Sequence, residues 1–238
     1  MIAFTSDIDW APEEVILDTI GLFEEYDVKC TFFSTHHSRV LAKADKKKFE
    51  IAVHPNFNPL LNLSGNKRAE DILDEILDIH PDAKGIRSHS MMQSTALLQM
   101  FADKHLVYDS NHFLPYQSGL KPFRLWNGMV RIPYNWEDDV HWAYGYEFED
   151  CGINLNDTGL NVFDFHPIHI YLNTENKYRY TEAKKFYNDP KKLKDFQNNE
   201  IKGARNMLVS LLKYVKENKI QSYRQIDIAQ DFLNRYLI

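Results

Sequence analysis

The chain has 238 residues, 44% of them hydrophobic and 26% charged, a composition that suits one barrel-sized globular domain and excludes long disorder. A net charge of −6 provides no basic field for a phosphate backbone, and no run reaches the roughly 18 apolar residues of a membrane span. The two cysteines, Cys30 and Cys151, lack paired spacing and are expected as reduced thiols; Met1 leads directly into a strand pattern, so cytoplasm is the expected location.

Ile2 to Ile8 reads as a first strand. Pro12 suits a helix start, and Val15, Ile16, Thr19, Ile20, Phe23 and Tyr26 then recur at helical spacing. Val28 to Ser34 is a second strand, rich in β-branched and aromatic residues, and Phe49 to Val53 a third, ending at His54-Pro55. Helix periodicity returns over Arg68 to Ile79 and over Thr95 to Lys104. Further strands are expected near Lys84 to Arg87, Leu106 to Asp109, Met129 to Pro133 and Asn161 to Phe165. A polar excursion rich in Tyr, Lys and Asn occupies about 171–199, and amphipathic helices over Ile201 to Lys216 and Gln225 to Tyr236 close the chain. Strands alternating with helices in this way predict a single α/β domain over 1–238, a distorted (β/α) barrel of about seven or eight strands, with functional groups at the strand C-terminal ends.

Several polar groups fall at those ends. Asp7 and Asp9 flank Ile8, and strand alternation sends both carboxylates to one side and Ile8 to the other; a helix cap from Asp9 is the structural alternative. His54 ends the third strand with Asn58 four residues on, a spacing that lets one turn offer two donor atoms to a metal beside Asp9, although a strand-end histidine is commonly a hydrogen-bonded structural residue. Arg87 stands where a guanidinium can hold a carboxylate, and His166 and His169 emerge from a late strand where a proton donor near neutral pH belongs.

In this order the residues resemble the polysaccharide deacetylase superfamily, which includes the family 4 carbohydrate esterases. Thr5-Ser6-Asp7-Ile8-Asp9-Trp10 is similar to that family's Thr-Phe-Asp-Asp-Gly, and the segment from Leu22 to Phe33, ending Cys30-Thr31-Phe32-Phe33, resembles its Leu-x-x-Tyr-Gly-Val-x-Ala-Thr-Phe-Phe. Phe49 to Pro59 matches its His-Glu-Ile-Gly-Asn-His-Thr-x-x-His-Pro, with Asn58 in place of the second histidine. Asp138-Asp139-Val140-His141-Trp142 is loosely similar to its Asp-x-x-Asp-Trp, with His141 where an acid is expected. Ile8 is an insertion between the two aspartates, and the likeness spans about residues 1–170.

The resemblance implies hydrolysis of an N-acetyl group on a sugar, in a cytoplasmic branch linked to bacterial surface polysaccharide. It implies a divalent metal, zinc first, held by Asp9, His54 and the side-chain oxygen of Asn58. Asp7 is then the general base, Arg87 its orienting partner, and His166, rather than His169, the general acid. His36 and His37 are the other candidate nitrogen donors, and Trp10, Phe57, Trp126, Trp136 and Trp142 are candidates either for stacking on sugar or for core. Two alternatives stand beside this expectation: a metal-independent cyclic-amide hydrolase of allantoinase type, and a non-catalytic carbohydrate-binding relative.

Overall fold

A computed structural model describes residues 1–61 and 66–236. Ten strands are formed in it: β1 (Ile2–Asp7), β2 (Cys30–Ser34), β3 (Phe49–Val53), β4 (Gly85–Ile86), β5 (Tyr108–Asp109), β6 (Phe123–Arg124), β7 (Val130–Arg131), β8 (Trp136–Glu137), β9 (Asn161–Asp164) and β10 (Ser222–Tyr223). They make one sheet in the order β6-β7-β5-β4-β3-β2-β1-β9-β8, with β10 attached to β1. Every pair is parallel except β6 with β7. Among the described residues no pair joins β8 to β6, so the barrel is distorted and open along one seam.

Apart from the antiparallel edge strand β6, which is exposed, the strands are mostly buried on both faces, as a parallel sheet covered by helices requires. Ile2, Phe4, Cys30, Phe32, Phe49 and Phe163 pack outward against the helical layer, led by α1 (Glu13–Tyr26). Ala3, Phe33, Ala52, Tyr108, Val130 and Val162 fill the barrel interior. Alternation therefore puts Thr5 and Asp7 on the inner face with Ala3, while Ile8 enters the outer core. Gly85 admits the Tyr108 ring so closely that a Cβ there would stand 1.9 Å from it.

The expected strands are present, β3 with the expected bounds and the others shorter, and β6, β8 and β10 are additional. Val28 and Lys29 fall outside β2 because α1 ends through Asp27 in the left-handed region (φ 58°), with the Val28 N–H donating to the Phe23 carbonyl at 3.0 Å. The remaining helices are α2 (Arg39–Lys43), α3 (Asn58–Leu61), α4 (Ala69–Ile79), α5 (Thr95–Asp103), α6 (Asp138–Ala143), α7 (Pro167–Leu172), α8 (Lys177–Ala183), α9 (Pro190–Leu193), α10 (Ala204–Glu217) and α11 (Gln225–Tyr236). The polar excursion is thus built of short helices, with single 3-10 turns at Lys184–Phe186 and Lys194–Phe196. Ala183 and Leu193 are buried beneath it, and Phe186 stacks on Phe196. No helix of the described residues is long and apolar enough to cross a membrane, and both cysteines are free and buried.

Candidate active site

At the C-terminal end of β1 the chain makes a tight turn, closed by the Ala11 N–H donating to the Ile8 carbonyl at 2.7 Å. Its two central residues, Asp9 and Trp10, both have positive φ, 39° and 58°. The turn brings Asp9 back toward the barrel axis, where Asp7 already points. His54, which follows β3, has Nε2 3.6 Å from Asp7 Oδ2 and 3.3 Å from Asp9 Oδ1.

Arg87 follows β4 and is 1% exposed. All five of its N–H groups are used. Nη1 donates to Asp7 Oδ1 at 2.8 Å and to Asp164 Oδ1, Nη2 to Thr5 Oγ1 and Ser110 Oγ, and Nε to the Ser110 carbonyl. The guanidinium also lies between the rings of Phe33 and Tyr134, 4.3 and 4.1 Å from their centroids. Burial pushes the Asp7 carboxyl up, and Asp164 adds to that push against the opposing pull of Arg87, His54 and His166.

Three donor atoms converge beside Asp7. Asp9 Oδ1, His54 Nε2 and His89 Nδ1 stand 3.3, 3.2 and 3.4 Å apart in pairs. Four ligands at tetrahedral angles and about 2.0–2.1 Å from a zinc ion are themselves about 3.3–3.4 Å apart, so the triangle has the edge length that such an ion requires. Asp9 Oδ1 is moreover a buried atom that makes no hydrogen bond of good geometry despite its two imidazole neighbours. An orphaned carboxylate oxygen facing two ring nitrogens fits a divalent cation. Burial alone would raise the Asp9 carboxyl, but His54, His89 and His166 outweigh it and hold the group well below the usual carboxylate range.

The third corner is His89, in place of the expected Asn58. The Asn58 amide nitrogen donates to Ser90 Oγ at 3.0 Å, one residue past that histidine. His36 and His37 are held elsewhere: His36 Nδ1 is 2.9 Å from Thr35 Oγ1, and His37 is exposed.

Opposite the triangle, His166 follows β9 as the cap of α7, with Nε2 3.7 Å from Asp9 Oδ2. Asp138, at the start of α6, accepts from the His166 N–H at 2.9 Å and pairs with Nδ1 at 2.7 Å. That contact fixes the ring and leaves Nε2 facing the site. Burial disfavours an imidazolium here, yet Asp138, with Asp139 and Asp9, raises the His166 pKa well above its ordinary value. His169 lies behind it, 3.1 Å from Thr174 Oγ1 and against the Tyr180 ring, and burial lowers its pKa. Of the aromatic candidates, Phe57 and Trp136 are core, whereas Trp10 is 44% exposed at the site's rim with its ring edge-on to His89.

Comparison with known proteins agrees with the fold. The sequence model of a family described as WbmS-like polysaccharide deacetylase matches residues 4–184. A solved structure from Bordetella bronchiseptica, a candidate polysaccharide deacetylase involved in O-antigen biosynthesis, is 41% identical, with a TM-score of 0.83 and 90% of each chain covered. A candidate polysaccharide deacetylase from Mycobacterium smegmatis is 14% identical (TM-score 0.58, covering 97% of this chain and 88% of its own) and shares the fold. So does a CE4 family pseudoenzyme from Bacillus anthracis, 12% identical (TM-score 0.54, covering 96% and 65%). None of the curated proteins matches the chain.

Proposed function

The chain belongs to the WbmS-like polysaccharide deacetylase family, and from that premise we propose that it is a divalent-metal-dependent hydrolase that removes an N-acetyl group from a sugar of a surface polysaccharide or its precursor. The observation that carries the reading is the triangle of Asp9, His54 and His89, set between an arginine-held aspartate and an aspartate-held histidine.

Asp9, His54 and His89 would hold the ion, and a set of two imidazole nitrogens and one carboxylate oxygen suits zinc. A bound zinc ion supplies Lewis acidity toward the amide carbonyl and toward water, both of which amide hydrolysis needs near neutral pH. Asp7 has one oxygen engaged by Arg87 and the other turned to His54, so the second oxygen is the acceptor for the proton of the attacking water. Arg87 has no freedom to leave, and it fixes the direction of that carboxylate. His166, protonated at Nε2 because Asp138 holds Nδ1, gives its proton to the departing amine. Water and amide thereby become acetate and a free amino sugar. The relative from Bordetella bronchiseptica supports an O-antigen precursor as the substrate class.

The test is metal analysis of the purified protein followed by acetate release from a panel of N-acetylated sugars and nucleotide sugars, with and without a chelator. Release that is lost on chelation and regained with zinc supports the reading. Release untouched by chelator would favour the metal-independent amidase instead, and sugar binding without release the non-catalytic relative.

A further inference from the structure

The turn that carries Asp9 is an unusual mount for a metal ligand. Two consecutive non-glycine residues occupy the left-handed region, and one of them is tryptophan, for which positive φ is a genuine outlier. Such a conformation persists only where its surroundings over-determine it. The central peptide group of the turn, between Asp9 and Trp10, is held at both its carbonyl and its N–H by side chains from remote parts of the chain. The Tyr187 hydroxyl, 178 residues away, donates to the Asp9 carbonyl at 2.7 Å. Thr35 Oγ1, in the loop after β2, accepts from the Trp10 N–H at 3.0 Å.

Tyr187 closes the 3-10 turn Lys184–Phe186 within the polar excursion, three residues beyond the stretch that the family model matches. Its ring packs half-buried against the outer core. We propose that Tyr187 and Thr35 are positioning residues that clamp the Asp9–Trp10 turn and thereby set the metal affinity of the site. This rests on the reading of Asp9 as a ligand. The excursion then serves the site directly, because its helices hold a phenol against the backbone of the ligand, and the third of the fold after β9 is part of the metal mount. Without the clamp, the turn relaxes toward negative φ, and the Asp9 carboxylate leaves the triangle.

The experiment is zinc affinity of the full chain, by competition with a chromophoric chelator at fixed pH, for wild type, Tyr187→Phe, Thr35→Val and Tyr171→Phe. Tyr171 is the control, because its hydroxyl also tethers the excursion, donating to the Pro190 carbonyl at 3.2 Å, without touching the turn. Losing an outer-shell partner typically weakens metal binding about 10- to 100-fold. Tyr187→Phe is expected to raise the zinc Kd about tenfold, Thr35→Val to raise it in the same direction, and Tyr171→Phe to leave it within about twofold. If Tyr187→Phe does not fold, Thr35→Val decides alone, since it attacks the same turn from the other side. Wild-type affinity in the clamp variants, or an equal loss in Tyr171→Phe, overturns the clamp while leaving a zinc-binding, acetate-releasing wild type intact. A wild type that takes up no zinc overturns the metal reading and the clamp with it.

Discussion

Replacing Arg87 by alanine tests the buried polar centre most directly, because the structure gives that residue two jobs that separate by assay. Its guanidinium is fully enclosed and is shared by Asp7 and Asp164, so the substitution leaves two buried carboxylates without their cation. Breaking a buried pair by removing one partner costs about 3–5 kcal/mol. For a chain of this length each kcal/mol lowers the Tm by about 2–4 °C, so a loss of roughly 6–20 °C is expected, within the range that leaves the variant folded at room temperature. The loss should also depend on pH. In the variant burial acts on Asp7 unopposed by the guanidinium, so its folded pKa lies further above the unfolded value of about 3.9. A raised folded pKa means that stability is fully present at low pH and is lost as pH rises through that pKa. The difference in Tm between wild type and variant, read by circular dichroism, should therefore be larger at pH 8 than at pH 5. A loss under about 2 °C at pH 8, or one equal at both pH values, would refute the assignment of the buried pair as the cause.

Asp7→Asn should lower turnover about 10²-fold or more while zinc content stays near wild type, measured by acetate release and metal analysis on the same sample. Asp138→Asn removes the group that raises His166, so the imidazolium is lost at lower pH and the alkaline limb of the kcat profile moves down; an unmoved limb would remove His166 from the proton-donor role. His89→Ala should weaken zinc binding by well over about tenfold, and by more than Asn58→Ala does. The reverse order in a chelator competition would return the third corner to Asn58.

How much of the site is legible in the sequence depends on whether a group's partner lies on its own strand or on another. Asp7 and Asp9 on one side of Ile8 follow from alternation alone, and Ile8 is indeed in the outer core. His54, Arg87 and His166 stand at recognisable strand ends, so the expected neighbourhood forms around them. His89 gives no such signal, because it lies in a 3-10 turn beside Ser90, whose φ of 56° breaks any periodic pattern, and because nothing local says that β4 pairs with β3. Asp164 does leave a trace, a single acid inside the apolar run Val162 to Phe165, which only a buried cation explains. From its composition the segment over about 171–199 reads only as a polar excursion from the barrel, and its contact with the site gives no local signal because Tyr187 acts on a residue 178 positions earlier.

On the proposed reading of His89 as the third ligand, the structure also explains what Asn58 does. A metal site sets distances between donor atoms and places no demand on their spacing in the chain, so two loops on neighbouring strands can supply what one loop otherwise would. Here the β3–β4 pairing continues past the strands: the Arg87 N–H donates to the Val53 carbonyl at 3.1 Å and the His89 N–H to the Pro55 carbonyl at 3.0 Å, which carries His89 alongside His54. The Ser88 N–H is taken by Asn111 Oδ1 at 2.7 Å, and Asn58 holds Ser90 from the other side. A histidine on a loop is a less rigid ligand than one at a strand end, and these bonds on either side of His89 compensate for that. Asn58 thus keeps a place at the site one step outward from a ligand, fastening the loop that carries the imidazole.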